Sequence, residues 1–201
     1  MLQERRRRRR SRSERKEPLL GTAFNEEVWR DRAWARYTKS QFATCPPVNS
    51  QWAKDLISIL NLNTLVRWCT SRGLKVQFNK IENGQYDPML KTISISCQAF
   101  PTKQLLYLLH ECGHHLIGSK EKNERFSMGY SHSEDPDFNK LLIHRMAILE
   151  EECEAWERGR RLAKRLKLDI IWKDFNLLRL ECLKSYVLWT ASGYRVRAKK
   201  K

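Results

Sequence analysis

Three of the chain's five histidines fall in one stretch, LLHECGHHLIG, Leu108–Gly118. His110, Glu111 and His114 spell H-E-x-x-H. On a helix, residues i and i+4 lie on one face, one above the other. Two imidazoles so placed can share a single zinc ion at the distance of roughly 2 Å that zinc prefers. Glu111 is one residue along, so its carboxylate falls beside such an ion rather than on it. There it can take a proton from a metal-activated water. His115 points about 100° away from His114, which makes it a structural neighbour rather than a ligand.

A catalytic zinc needs a third protein ligand and one open position. Positions 117 and 120 are Ile and Lys, so no third histidine follows at the spacing H-E-x-x-H-x-x-G-x-x-H. The acidic run LEEECEAW, Leu149–Trp156, offers a carboxylate instead. Leu149, Cys153 and Trp156 define an apolar face centred on Leu149. At about 100° per residue, Glu152 falls at the edge of that face, and Glu150, Glu151 and Glu154 turn toward solvent. An inward carboxylate without a basic partner calls for a neutralising cation. Glu152 is therefore the expected third ligand, with Glu154 as the alternative if the helix is rotated. An oxyanion stabiliser would also be needed; Tyr130 and His144 are both candidates.

These residues need elements to hold them. NEEVWRDRAWARYTKSQF, from Asn25, reads as a helix with an aromatic stripe. SQWAKDLISILN and NTLVRWCTSRG read as two more, the second stopped by Gly73. Then the period changes. LKVQFNK alternates Leu74, Val76 and Phe78, and KTISIS alternates Ile93 and Ile95, as half-buried strands do. ENGQYDP between them carries turn signals. The motif helix follows, with Thr102 as expected N-cap and Gly118 as terminator. Residues 119–139 read as polar loop. A helix over about 141–166 carries the acidic run, and WKDFNLLRLECLKSYVLWTAS reads as a last helix ending at Gly193. The expected fold class is α+β: mostly helical, with a small antiparallel-type sheet beside the H-E-x-x-H helix and a later Glu-bearing helix.

KTISISCQAF, LLYLLHECGHHL and LEEECEAW together resemble the HExxH…E metallopeptidases of the gluzincin kind. The likeness is greatest to the compact ImmA/IrrE-type enzymes and to small metallopeptidase-like proteins of tailed bacteriophages. It spans about residues 74–166. It implies a zinc ion held by His110, His114 and a glutamate from an E-x-E-A or E-x-x-A segment, both of which forms Glu152–Ala155 matches. Trp156 stands where the family often has an acidic residue or asparagine. The implied activity is hydrolysis of a protein or peptide substrate, with Glu111 as general base. Similar enzymes dock an extended substrate by strand addition, for which KTISIS is the expected strand.

The 201 residues suffice for one domain, expected over 18–194, with a basic arm at 1–17 and a basic tail at 195–201. No apolar run approaches the roughly 18 residues of a membrane span, and an arginine tract without an apolar segment is not a secretory signal. The six cysteines form no C-x-x-C pair, which suits reduced, buried thiols in an intracellular protein. A cytoplasmic or virion-associated location follows from these expectations. The net charge of +16 is concentrated: residues 1–17, 157–167 and 195–201 together account for all of it. Arg5, Arg6, Arg7, Arg8, Arg9 and Arg10 form a tract suited to nucleic acid or another polyanion, or simply to a solvated arm. This sustains two rivals to a plain peptidase. One is a non-enzymatic virion or assembly protein retaining the zinc fold; the other is a DNA-binding regulator that cleaves a partner. Deleting residues 1–17 should weaken polyanion binding and flatten its salt dependence, measured by fluorescence anisotropy on two unrelated nucleic-acid sequences at several salt concentrations.

Overall fold

The computed structural model describes residues 51–130 and 137–193. The helix expected from Asn25, the arginine tract, His132 and the basic tail lie outside the described residues. Four helices and three strands follow in order: α1 Gln51–Ser71, β1 Lys75–Asn79, β2 Gly84–Asp87, β3 Thr92–Ser96, α2 Pro101–Arg125, α3 Leu142–Arg165 and α4 Trp172–Ser192. A single 3-10 turn, Phe138–Lys140, precedes α3. The fold is α+β and mostly helical. No helix among the described residues is long and apolar enough to cross a membrane.

α2 is the central element. Every residue from Gln104 to His114 is buried, including His110, Glu111 and His114. Its leucines at 105, 106, 108 and 109 meet Leu62, Leu65 and Cys69 of α1 and Ile93 and Ile95 of β3 in one apolar core. The helix begins at Pro101, whose missing N–H is no loss in a first turn. Thr102, expected as the N-cap, instead lies inside that turn, with its hydroxyl 2.9 Å from Ser58 Oγ. Gly118 does interrupt α2, at φ 70 and ψ 158, but a second helical segment continues to Arg125, in sequence that reads as loop. The Leu116 carbonyl beside the break is capped by Arg158 Nη1 at 2.6 Å.

Four sequence expectations change. The two helices expected before β1 are one continuous α1. Asn61, which reads as a break, ties α1 to the α3–α4 connection: its Nδ2 donates to the Asp169 carbonyl at 2.8 Å. The sheet is mixed rather than antiparallel-type, in the order β1-β3-β2. β1 and β3 run parallel, Val76 opposite Ile93 and Phe78 opposite Ile95. The segment ENGQYDP, read as turn, contains β2, which pairs antiparallel with β3. Four residues between two turns are too few to show an alternation. This also removes KTISIS as a docking strand, because both edges of β3 are already paired and the edge positions belong to β1 and β2.

α3 crosses α2 with the two backbones in contact. A Cβ on Gly113 would lie 1.9 Å from the Ala155 carbonyl oxygen, and one on Gly159 would lie 2.5 Å from that of Leu109. Ile148, Glu151, Glu152, Ala155, Trp156 and Gly159 form the buried face of α3, whereas Leu149 and Cys153 are only half-buried. The inward face is therefore centred near Glu152 and Ala155, not on Leu149. α4 packs against α3 through Phe175, edge-on to Trp156 at 5.4 Å between centroids. Its far end stops at Gly193, φ 73. There the buried Arg145 guanidinium of α3 bonds the carbonyls of Asn139, Lys140 and Thr190 at 3.1, 2.6 and 3.3 Å. In an ordinary helix interior Gly→Ala stabilises by about 1 kcal/mol. Gly113→Ala should have the opposite sign, destabilising by roughly 1–3 kcal/mol through overpacking, as a denaturant melt will read.

Candidate metal centre

α2 and α3 bring two imidazoles and a carboxylate together. His110 Nε2 lies 3.2 Å from Glu152 Oε2, and His114 Nε2 lies 3.4 Å from Glu152 Oε1. One ligand atom from each of His110, His114 and Glu152 falls within 4.8 Å of the others, and all three residues are buried. This group could hold a metal ion. The donor set, two imidazole nitrogens and one carboxylate oxygen, suits a borderline cation with one position left for water.

The surrounding charge fits that reading. Three carboxylates, Glu111, Glu151 and Glu152, are buried beside two histidines. Burial lowers the pKa of His114, but the charge and hydrogen bonding of Glu152 and Glu151, with Glu111 behind them, outweigh it and raise it to about 10. Burial would likewise raise the Glu152 carboxyl, yet the two facing imidazoles hold it well below the usual carboxylate range. The centre thus attracts positive charge, which a proton or a metal cation supplies.

The two histidines are supported differently. His114 Nδ1 contacts Glu151 Oε1 at 3.4 Å. An Nδ1–H donated to a carboxylate leaves the Nε2 lone pair for a metal and makes it a stronger donor. Glu151 is 1 % exposed, against the sequence expectation that it faces solvent. His110 Nδ1 is buried without a hydrogen-bond partner among the described residues. Its ring is held instead by Trp156, stacked at 4.4 Å between centroids and 20° between planes. So Trp156 supports the histidine by stacking contact.

Glu111 sits beside the group, not in it. Burial raises its pKa, and the two histidines only partly oppose this. Its carboxylate accepts the Tyr86 backbone N–H from β2. It fills the space a side chain at Gly84 would need, since a Cβ there would lie 2.8 Å from Glu111 Oε1. Tyr86 is fixed in turn by its hydroxyl, 3.1 Å from His115 Nδ1.

Of the two expected oxyanion candidates, Tyr130 lines the cavity over the centre and His144 does not. Tyr130 donates to Glu152 Oε1. His144 is buried against Trp189, with Nδ1 2.6 Å from the Met128 carbonyl. Glu154, the alternative ligand, is on the outer side of α3, 2.8 Å from both Arg158 and Arg161. Tyr186 of α4 was not singled out by sequence. Its hydroxyl is 3.2 Å from that of Tyr130, and it lines the same cavity. Only its position four residues after the cavity-lining Cys182, on one helical face, would have marked it.

Compared with protein-family models, curated proteins and solved structures, the chain has no match. The site must be read from its own geometry. If Glu151 supports His114, Glu151→Gln should weaken metal binding by roughly 10- to 100-fold. Glu150→Gln should leave it unchanged, because Glu150 pairs with Arg125 at the surface. Competition with a chromogenic chelator measures both.

Proposed function

We propose that this protein is a zinc-dependent peptidase of the HExxH…E kind. The carrying observation is the convergence of His110 Nε2 and His114 Nε2 on the two oxygens of Glu152, with the Glu111 carboxylate beside them at the floor of an open cleft. A closed, structural zinc site has no use for a buried base next to the ion. A zinc ion held by His110, His114 and Glu152 would polarise a water or a substrate carbonyl and bring the water's pKa to about 7.

The chain's own groups supply the rest. Glu111, raised in pKa by burial, is suited to accept a proton from water at neutral pH and return it to the leaving nitrogen. The Tyr130 and Tyr186 hydroxyls stand on the cavity side of Glu152, where a developing oxyanion would need donors. Substrate docking falls to the edge of β2, which Glu111 already adjoins through Tyr86. Any nucleic-acid contact through Arg5–Arg10 is a separate activity in this reading.

The purified protein should carry about one zinc per chain, and chelation should lower its melting temperature. Glu111→Gln should keep the zinc and abolish peptide hydrolysis, whereas His114→Ala should lose both. Metal analysis with a peptide-cleavage assay reads all three proteins. Loss of zinc in Glu111→Gln would make Glu111 a ligand and overturn the assignment.

A further inference from the structure

Glu154, Arg158, Arg161 and Arg165 stand at i, i+4, i+7 and i+11 on α3, one stripe along the outer side of the helix. The three arginines, with Leu116 and Leu162, line a groove of about 350 Å³. Leu116 lies two residues before the break in α2 at Gly118, so the groove runs beside that break along the last two turns of α3. The cleft over the metal centre, walled by residues 83–88 and by α4, shares no residue with it.

Like charges three and four apart on a helix repel, and one carboxylate offsets them here. Glu154 Oε1 accepts from Arg158 Nε and from Arg161 Nη2, each at 2.8 Å. Arg158 commits a further N–H to the Leu116 carbonyl at 2.6 Å. Arg165, one turn beyond Arg161, is exposed and has no such partner among the described residues. Residues 157–167 hold six cations and one carboxylate. Arg160 and Lys164 leave this side of the helix, with their charged ends over the Trp172 ring, 5.5 and 5.9 Å from its centroid. What remains is a row of guanidiniums about 10 Å long. Glu154 balances one end, and positive charge is in excess at the other.

The composition of the groove narrows its ligand. A row of this length is matched by a chain of phosphates rather than by a single one. Guanidiniums present paired N–H groups that fit phosphate oxygens. A lipid surface would need apolar side chains to enter it, and no large hydrophobic residue from 147 to 170 is exposed. None of the groove's lining residues is aromatic, so nothing there stacks on an unpaired base.

We infer that the Arg158, Arg161 and Arg165 row is a binding site for the phosphodiester backbone of duplex nucleic acid, built by α3 and not by the arginine arm. Contacts to phosphate carry no base sequence. The site leaves the cleft open, because the cleft lies on the side of α3 that carries Glu152. It holds whether or not the cleft hydrolyses peptides.

The full chain is titrated onto two unrelated DNA duplexes over a series of salt concentrations, with fluorescence anisotropy as readout. In Arg161→Gln/Arg165→Gln, the slope of log affinity against log salt should flatten by roughly 1 for each arginine that meets a phosphate, about 2 in all, and equally on both duplexes. Arg165→Gln alone, which breaks no contact among the described residues, should give about half that change. Arg161→Lys/Arg165→Lys, which keeps the charge, should keep the slope. Lys173→Gln/Lys184→Gln removes the same charge from exposed positions on α4 and should also leave the slope as it was. An unchanged slope in the arginine-to-glutamine variants, or an equal loss in the α4 variant, would overturn the site. Loss of binding to phosphatidylserine vesicles in Arg161→Gln/Arg165→Gln, with DNA binding intact, would assign the row to a membrane and overturn it as well.

Discussion

The contact on which the centre depends is between two helix backbones. α2 and α3 approach so closely at Gly113 against Ala155, and at Gly159 against Leu109, that no side chain fits between them. A glycine within a helix costs about 1 kcal/mol relative to alanine, and this crossing uses two. In return the Glu152 carboxylate, on a short side chain, reaches the imidazoles of a neighbouring helix. Glu151, one residue earlier, reaches the outer nitrogen of His114 from the same crossing. A wider separation would take Glu151 and Glu152 away from His110 and His114, and an unpaired buried ion costs several kcal/mol.

That balance is local, and it is enforced from several directions. Trp156 holds His110 by stacking, and the same ring receives Phe175 of α4 edge-on. α4 is thereby registered against the His110, His114 and Glu152 group. Its C-terminal end is tied by Arg145, which bonds the Thr190 carbonyl in the last turn of α4 and, in the 3-10 turn before α3, those of Asn139 and Lys140. With both ends secured, Tyr186 stands over Glu152 beside Tyr130.

The opposite wall is built with less. β2 has four residues and is held by one strand neighbour and by the α2 side chains beneath it. Glu111 and His115 both reach this strand, one through the Tyr86 amide and the other through the Tyr86 hydroxyl. The extra histidine of the motif stretch thus serves the placement of Glu111 rather than the group of His110, His114 and Glu152.

What the sequence determined by itself was whatever is local to one helix. H-E-x-x-H spacing puts His110 and His114 on one face because α-helical geometry is the same in every protein. The helix over 142–165 and the stop at Gly193 follow from periodicity and from glycine's access to positive φ. Glu152 was legible in part: it does face inward, though the face is centred on the carboxylates and on Ala155 rather than on Leu149. Hydrophobicity cannot register a buried face made of Glu151, Glu152 and Gly159, because its polar groups are satisfied by another helix. The tertiary structure alone decided the rest. The parallel pairing of β1 with β3, the strand hidden in ENGQYDP, the role of Glu151 and the arrival of Tyr186 are contacts between segments far apart in the chain. Each is set by how closely packed surfaces can approach, and no local pattern of residues encodes that distance.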